Sequence, residues 1–239
     1  MLSYETELEN SFQTSNLQTM DKLDNFARFT RRQVVANFLN RYEIFKEILH
    51  IHGSIVEGGV NLGQGLFSWL HYSSILEPYN HSRRIIGFDT FEGFTNIHEE
   101  DNKSIYTNSN DWKDFASKQS FEEITSSCNI QNKNRVLSHI EKVKVIKGDA
   151  TQTIPQYFED NKHEIVSLLH IDFDVYSPTK AALETIVPRM PKGGIIAFDE
   201  INDPNAVGET VALLEVMNIN KFRIKRNSFD SNLCYIVLE

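Results

Sequence analysis

Cysteine is scarce in this 239-residue chain: Cys128 and Cys234 stand far apart with no C-x-x-C, so neither a disulfide framework nor a thiolate zinc site is indicated. That usage fits a reducing, cytoplasmic setting. Long apolar runs are lacking as well. No stretch approaches the roughly 18 residues of a membrane span, and Met1-Leu2-Ser3-Tyr4-Glu5 has neither the basic start nor the apolar core of a signal peptide. Positive charge is in deficit, with 24 Lys and Arg against 33 Asp and Glu and a formal net charge of −9. A field of that sign repels phosphates, which argues against nucleic-acid or anionic-membrane partners and for a small molecule. Repeats and low-complexity blocks are absent, and the length suits one sizeable domain with appendages.

Glycine is concentrated instead of abundant. Ile55-Val56-Glu57-Gly58-Gly59-Val60-Asn61-Leu62-Gly63-Gln64-Gly65 runs from a buried strand into a turn with four glycines in eight positions, and a helix follows from Leu66. Such a β-loop-α unit brings backbone N–H groups close to a ligand. Gly63-Gln64-Gly65-Leu66-Phe67-Ser68 comes near a dinucleotide fingerprint but starts six residues after Glu57, too late for G-x-G-x-x-G straight after the strand. The order acid, x, Gly, three residues, Gly resembles motif I of class I methyltransferases that use S-adenosylmethionine (SAM). A plain glycine-rich turn is the alternative.

Strand and helix then alternate. Residues 1–29 are polar and are expected to form an arm that is mobile or ordered only against a neighbour, and 30–239 a single domain. Thr30 with Gln33 makes a capping box for a helix carrying Val34, Phe38, Tyr42, Phe45 and Leu49 on one face. Strands are expected at Ser54–Glu57, Arg84–Phe88, Val143–Ile146, Ile165–Ile171 and Gly194–Phe198, with helices between them. Residues 95–119 read as a polar, lid-like insertion, and Ser120 with Glu123 caps the helix after it. Asp203-Pro204 opens a last helix with Val207, Val211, Leu214 and Met217 on one face, before a hairpin of Phe222–Lys225 and Leu233–Leu238. The fold class expected is α/β, a doubly wound Rossmann-like sheet, mostly parallel with a C-terminal antiparallel hairpin and helices on both faces.

Acids end the strands. Asp89 follows strand two, Asp172 and Asp174 strand four, and Asp199 and Glu200 strand five, all where such sheets bind ligands. Strands four and five are neighbours about 4.8 Å apart, so these carboxylates crowd one volume and call for a cation. A hard divalent ion such as Mg²⁺ suits oxygen donors, with Asp172, Asp199 and Glu200 as candidate ligands. Solvated strand-end acids or helix caps are the plainer alternative. His170, on the same strand face as Asp172, is a candidate general base or a hydrogen-bonded core residue.

Taken together, Val56-Glu57-Gly58-Gly59-Val60, Gly87-Phe88-Asp89-Thr90-Phe91-Glu92-Gly93-Phe94, Ile171-Asp172-Phe173-Asp174-Val175-Tyr176 and Gly193-Gly194 through Asp199-Glu200 resemble the macrocin O-methyltransferase family of sugar-modifying enzymes. The resemblance implies a SAM-dependent, Mg²⁺-dependent transfer to a hydroxyl of a sugar or glycosylated small molecule. It implies that Glu57, Gly59 and Gly63 line the methionine side of SAM, that Asp89 holds the ribose, and that Asp149 and Ala150 border the adenine. Asp172, Asp199 and Glu200 would bind the metal, with Asp172 also the candidate catalytic residue and Asp174 or His170 the other candidate bases. Glu200 stands where Asp or Asn is usual in that family, and Val175 stands where catechol-type enzymes carry a Lys. Homo-oligomers are common among such enzymes. The competing readings are a dinucleotide-dependent oxidoreductase, which leaves the acid cluster unexplained, and a non-catalytic SAM-binding protein.

Overall fold

A computed structural model of the chain describes residues 3–95, 97–103, 120–229 and 232–239. Among them, seven strands form one sheet in the order β3-β2-β1-β4-β5-β7-β6. The strands are β1 (Ser54–Gly58), β2 (Ile85–Asp89), β3 (Val143–Lys147), β4 (Val166–Ile171), β5 (Ile195–Phe198), β6 (Ile224–Arg226) and β7 (Cys234–Val237). The first five run parallel, and β7 enters antiparallel between β5 and β6. The expected doubly wound sheet with its closing hairpin is therefore present, with the later hairpin strand lying against the parallel core.

Both faces of the sheet are apolar because neighbouring residues of each central strand point to opposite sides. Val56, Ile86, Leu169 and Ile196 pack on one side with α6 (Ala150–Asp160), α7 (Tyr176–Ile186) and α8 (Val207–Val216). Ile55, Ile85, Leu168 and Ile195 pack on the other with α3 (Arg32–Glu47), α4 (Gln64–Leu76) and α5 (Phe121–Asn132). At the amino ends of the strands the buried Arg83 ties the layers together. Its guanidinium donates to the carbonyls of Ile48, Ile51 and Gly53 and to Glu77 at 2.8–3.0 Å.

Three local expectations change. The helix before β1 begins at Arg32, with Arg31 at its N-cap and no side-chain cap, so the Thr30 and Gln33 capping box does not form; Arg31 instead reaches Glu5 at 2.8 Å. The last helix begins at Val207, not directly after Asp203-Pro204, and buries Gly208, Glu209, Ala212 and Leu213 while Leu214 is 54% exposed. Val211 and Met217 pack on the core as expected, and Gly208 joins them there because α8 packs closely: a Cβ on Gly208 would lie 2.5 Å from the Tyr176 nitrogen. Finally, Glu57 lies within the core, as described below.

Ahead of α3, the arm carries α1 (Tyr4–Thr14) and α2 (Thr19–Asp24), neither with a buried residue. Phe12 meets Phe29 edge-on at 5.3 Å. Most of the insertion expected at 95–119 lies outside the described residues. Its near end is inside them, and there the buried Asp101 accepts hydrogen bonds from the backbone of His98 and Tyr176. Ser120 caps α5 by accepting from Glu123 N, as its spacing predicts. Among the described residues no helix is long and apolar enough to cross a membrane. Cys128 and Cys234 are both free and buried.

Candidate functional site

The carboxyl ends of the parallel strands meet around a cavity of about 350 Å³. Loop backbones there are unusual: Asn61 after β1, Phe91 after β2, Asp174 after β4 and Asn202 after β5 all have positive φ without being glycine. Backbone strain of this kind gathers where function over-determines the local geometry. Strand register fixes what surrounds the cavity. Gly58 pairs with Ile171 and Ile171 with Phe198, so the next residues, Gly59, Asp172 and Asp199, emerge side by side.

At one end lies Asp89. One of its oxygens accepts from Asn61 N at 2.7 Å and the other from Phe91 N at 2.7 Å, so it clamps the glycine loop to its own turn. Burial raises its carboxyl above the ordinary range, and the hydrogen bonds from Phe91 and Asn61 draw it back. Gly59, Asp149 and Ala150 line the same end, with Asp149 capping α6 through Thr151 N at 2.9 Å.

Glu57 and Gly63 shape the loop from behind and do not line the cavity. Glu57 is 1% exposed, accepts from Trp69 Nε1 at 2.6 Å and lies 3.4 Å from His170 Nδ1. Its carboxylate explains a glycine of the loop, since a Cβ on Gly65 would stand 2.4 Å from Glu57 Oε2. Gly63 is the left-handed N-cap of α4 (φ 90). His170 is fully buried in the same layer, edge-on to Trp69, which identifies it as a core residue walled off from the cavity.

At the other end Asp172, Asp174, Asp199 and Glu200 line the wall. The Asp172 carboxyl is pushed well above the usual carboxylate range by burial and then by repulsion from Asp199 and Asp174, with the Arg41 guanidinium pulling the other way. Asp174 is pushed up to about 7 by burial and by Asp199 and Asp89. These are hard oxygen donors in an electrostatically costly group, the chemistry that suits a divalent cation. Among the described residues no three His, Cys, Asp or Glu side chains form a ready-made metal cage.

Three contributors come from outside the strand-end motifs. Asn37 and Arg41 of α3 line the cavity, with Arg41 Nη2 3.9 Å from Asp172 Oδ2. Arg41 is a cation at i+3 from Phe38 on the helix's apolar stripe, and a charge in a core-facing position is the signal that marks it. Glu209 is fully buried and accepts from the backbone nitrogens of Phe173 and Asp174 with one oxygen and of Glu200 with the other, at 3.1–3.4 Å. It thus splints the two acidic loops. Burial, with repulsion from Asp174, Asp199 and Glu200, holds its carboxyl well above the ordinary range.

A family model described as a methyltransferase domain matches residues 56–201, which include every strand-end acid named above. No curated protein sequence matches this one. Among solved structures, a crystal structure of CalS11, a calicheamicin methyltransferase, is similar with a TM-score of 0.91 and 27% identity, covering 98% of this chain and 90% of that chain. An apo structure of CalS11, described as a TDP-rhamnose 3'-O-methyltransferase, gives 0.83 at 26% identity over 98% of this chain and 92% of that chain. The O-methyltransferase NovP gives 0.59 at 19% identity over 85% of this chain and 80% of that chain, a likeness of fold.

Proposed function

The chain belongs to the methyltransferase-domain family and is a SAM-dependent O-methyltransferase, and from that premise we propose that its acceptor is a sugar hydroxyl and that Mg²⁺ serves the transfer. The observation that carries the reading is one cavity with Asp89 and the glycine loop at one end and Asp172, Asp174, Asp199 and Glu200 at the other. The likeness to CalS11 over nearly the whole chain supports a nucleotide-linked deoxysugar as the acceptor class.

In this reading Asp89 offers its remaining lone pairs to the ribose hydroxyls, while Gly59, Asp149 and Ala150 border the rest of the cofactor. Glu57 and Gly63 act on it indirectly, through the loop they hold. Asp172, Asp199 and Glu200 would hold the cation, because Mg²⁺ needs only a few protein carboxylates and takes water or substrate oxygens for the rest. Bound there, it would supply Lewis-acid polarisation of the acceptor hydroxyl. Asp172 or Asp174 takes the hydroxyl proton, since both line the cavity and His170 does not. As the O–C bond forms the S–C bond breaks in line, and S-adenosylhomocysteine leaves. Residues 30–239 form the catalytic domain in this reading, with the arm at 1–29 attached to it.

Calorimetric titration separates this reading from a dinucleotide enzyme. SAM and S-adenosylhomocysteine are expected to bind and NAD not to. Binding of NAD without SAM would overturn it.

A further inference from the structure

Arg41 takes no part in the methyl-transfer scheme above. It is 4% exposed, and of the described residues lining the cavity it is the sole Lys or Arg, among six acids. Its Nη2 stands 3.9 Å from Asp172 Oδ2, while Nε and Nη1 have no hydrogen-bond partner. A locked charge-assisted pair would close to about 2.7–2.9 Å and satisfy more of the guanidinium. Keeping a cation buried with two of its nitrogens unpartnered is costly, and what it faces is the carboxylate proposed as a metal ligand.

We propose that Arg41 is the resident counter-cation of the acidic wall: it neutralises Asp172 when no metal is present and opposes the metal when one enters. This rests on the metal reading of the same site. A guanidinium close to a ligand carboxylate repels a second, divalent cation through a low-dielectric gap, so α3 sets how tightly the strand-end acids hold the metal. Metal retention then depends on oxygens from the acceptor to complete the site. Arg41 is thus a positioning residue whose effect is on affinity.

The test is Mn²⁺ titration of the full chain, without SAM or acceptor, followed by electron paramagnetic resonance of the free ion. Arg41→Met is expected to bind Mn²⁺ on the order of tenfold more tightly than wild type, and Arg41→Lys, which keeps the charge, to stay within about threefold of it. S-adenosylhomocysteine affinity serves as the fold control, and Arg41→Gln replaces the Met variant if that fails to fold. Equal or weaker Mn²⁺ binding in the neutral variants overturns the proposal while leaving the metal site standing. Absence of Mn²⁺ binding in every protein, wild type included, overturns the metal reading and this inference with it. Loss of S-adenosylhomocysteine binding in both neutral variants would make Arg41 a structural residue and also overturn the proposal.

Discussion

The backbone of Gly59 lies so close to that of Asp172 that a Cβ on Gly59 would stand 1.8 Å from the Asp172 carbonyl oxygen. Asp172 N also donates to Gly58 O at 2.8 Å, so the glycine loop and the acidic strand end are locked to each other. Cofactor end and acid end are thereby one rigid unit. Gly59 has φ 86, so Gly59→Ala meets both a backbone collision and a left-handed penalty. Together these should cost roughly 2–5 kcal/mol. The denaturation midpoint should fall accordingly and methyl transfer should be lost; a variant with wild-type stability would show that the two loops are not locked.

Asp89 clamps the loop with two short backbone hydrogen bonds and is proposed to hold the ribose. Asp89→Ala should weaken S-adenosylhomocysteine binding about tenfold or more, the worth of a charge-assisted hydrogen bond. Asp89→Asn, which keeps one acceptor oxygen, should lose less. Calorimetry checks the order, and equal affinities for all three proteins would remove Asp89 from the cofactor site.

Arg83 lies at the opposite end of the strands, so its removal should affect the fold and not the chemistry. Arg83→Met takes the charged donor from the carbonyls of Ile48, Ile51 and Gly53 and from the carboxylate of Glu77, which keeps the neutral donors Ser73 and Asn80. Breaking a buried charged network in this way costs roughly 3–5 kcal/mol. Urea unfolding should show that loss, with S-adenosylhomocysteine affinity retained in the folded fraction. A cost below about 1 kcal/mol, the range of an exposed pair, would contradict the hub.

The strand-end acids were legible in the sequence because each apolar run of β1, β2, β4 and β5 stops at a carboxylate, and a parallel sheet brings those stops to one edge. The direction of Glu57 was not. Whether a strand-end acid turns to the ligand or into the core depends on a neighbour, here Trp69, whose indole N–H supplies the partner that makes burial tolerable. Arg41 and Glu209 stayed hidden for a related reason. Arg41 reaches the site from a helix remote in sequence and Glu209 folds back onto it from the helix that follows β5, and helical periodicity alone marks both only as charges in core-facing positions. On α8 the expected face holds for Val211 and Met217, which pack on the core, and fails for Leu214, because Gly208 and Ala212 take the close-packed positions by being small.

The metal reading predicts that EDTA stops turnover and that added Mg²⁺ restores it. Asp172→Asn should lose activity while remaining folded, because relief of the repulsion from Asp199 and Asp174 offsets the lost counter-charge for Arg41, whose pairing at 3.9 Å is not closed. S-adenosylhomocysteine should still bind that variant. Full turnover in EDTA, or wild-type turnover by Asp172→Asn, would show that the acids are strand-end carboxylates with no ion to hold.

Methyl transfer to a sugar oxygen is tested most directly by mass spectrometry. The protein is incubated with SAM carrying a trideuterated methyl, Mg²⁺ and a panel of nucleotide-linked deoxysugars and free glycosides. The predicted result is one acceptor gaining a single trideuteromethyl group on a sugar hydroxyl, in step with release of S-adenosylhomocysteine. Label found on nitrogen, carbon or a non-sugar hydroxyl, or SAM bound with no labelled product from any sugar, would contradict it.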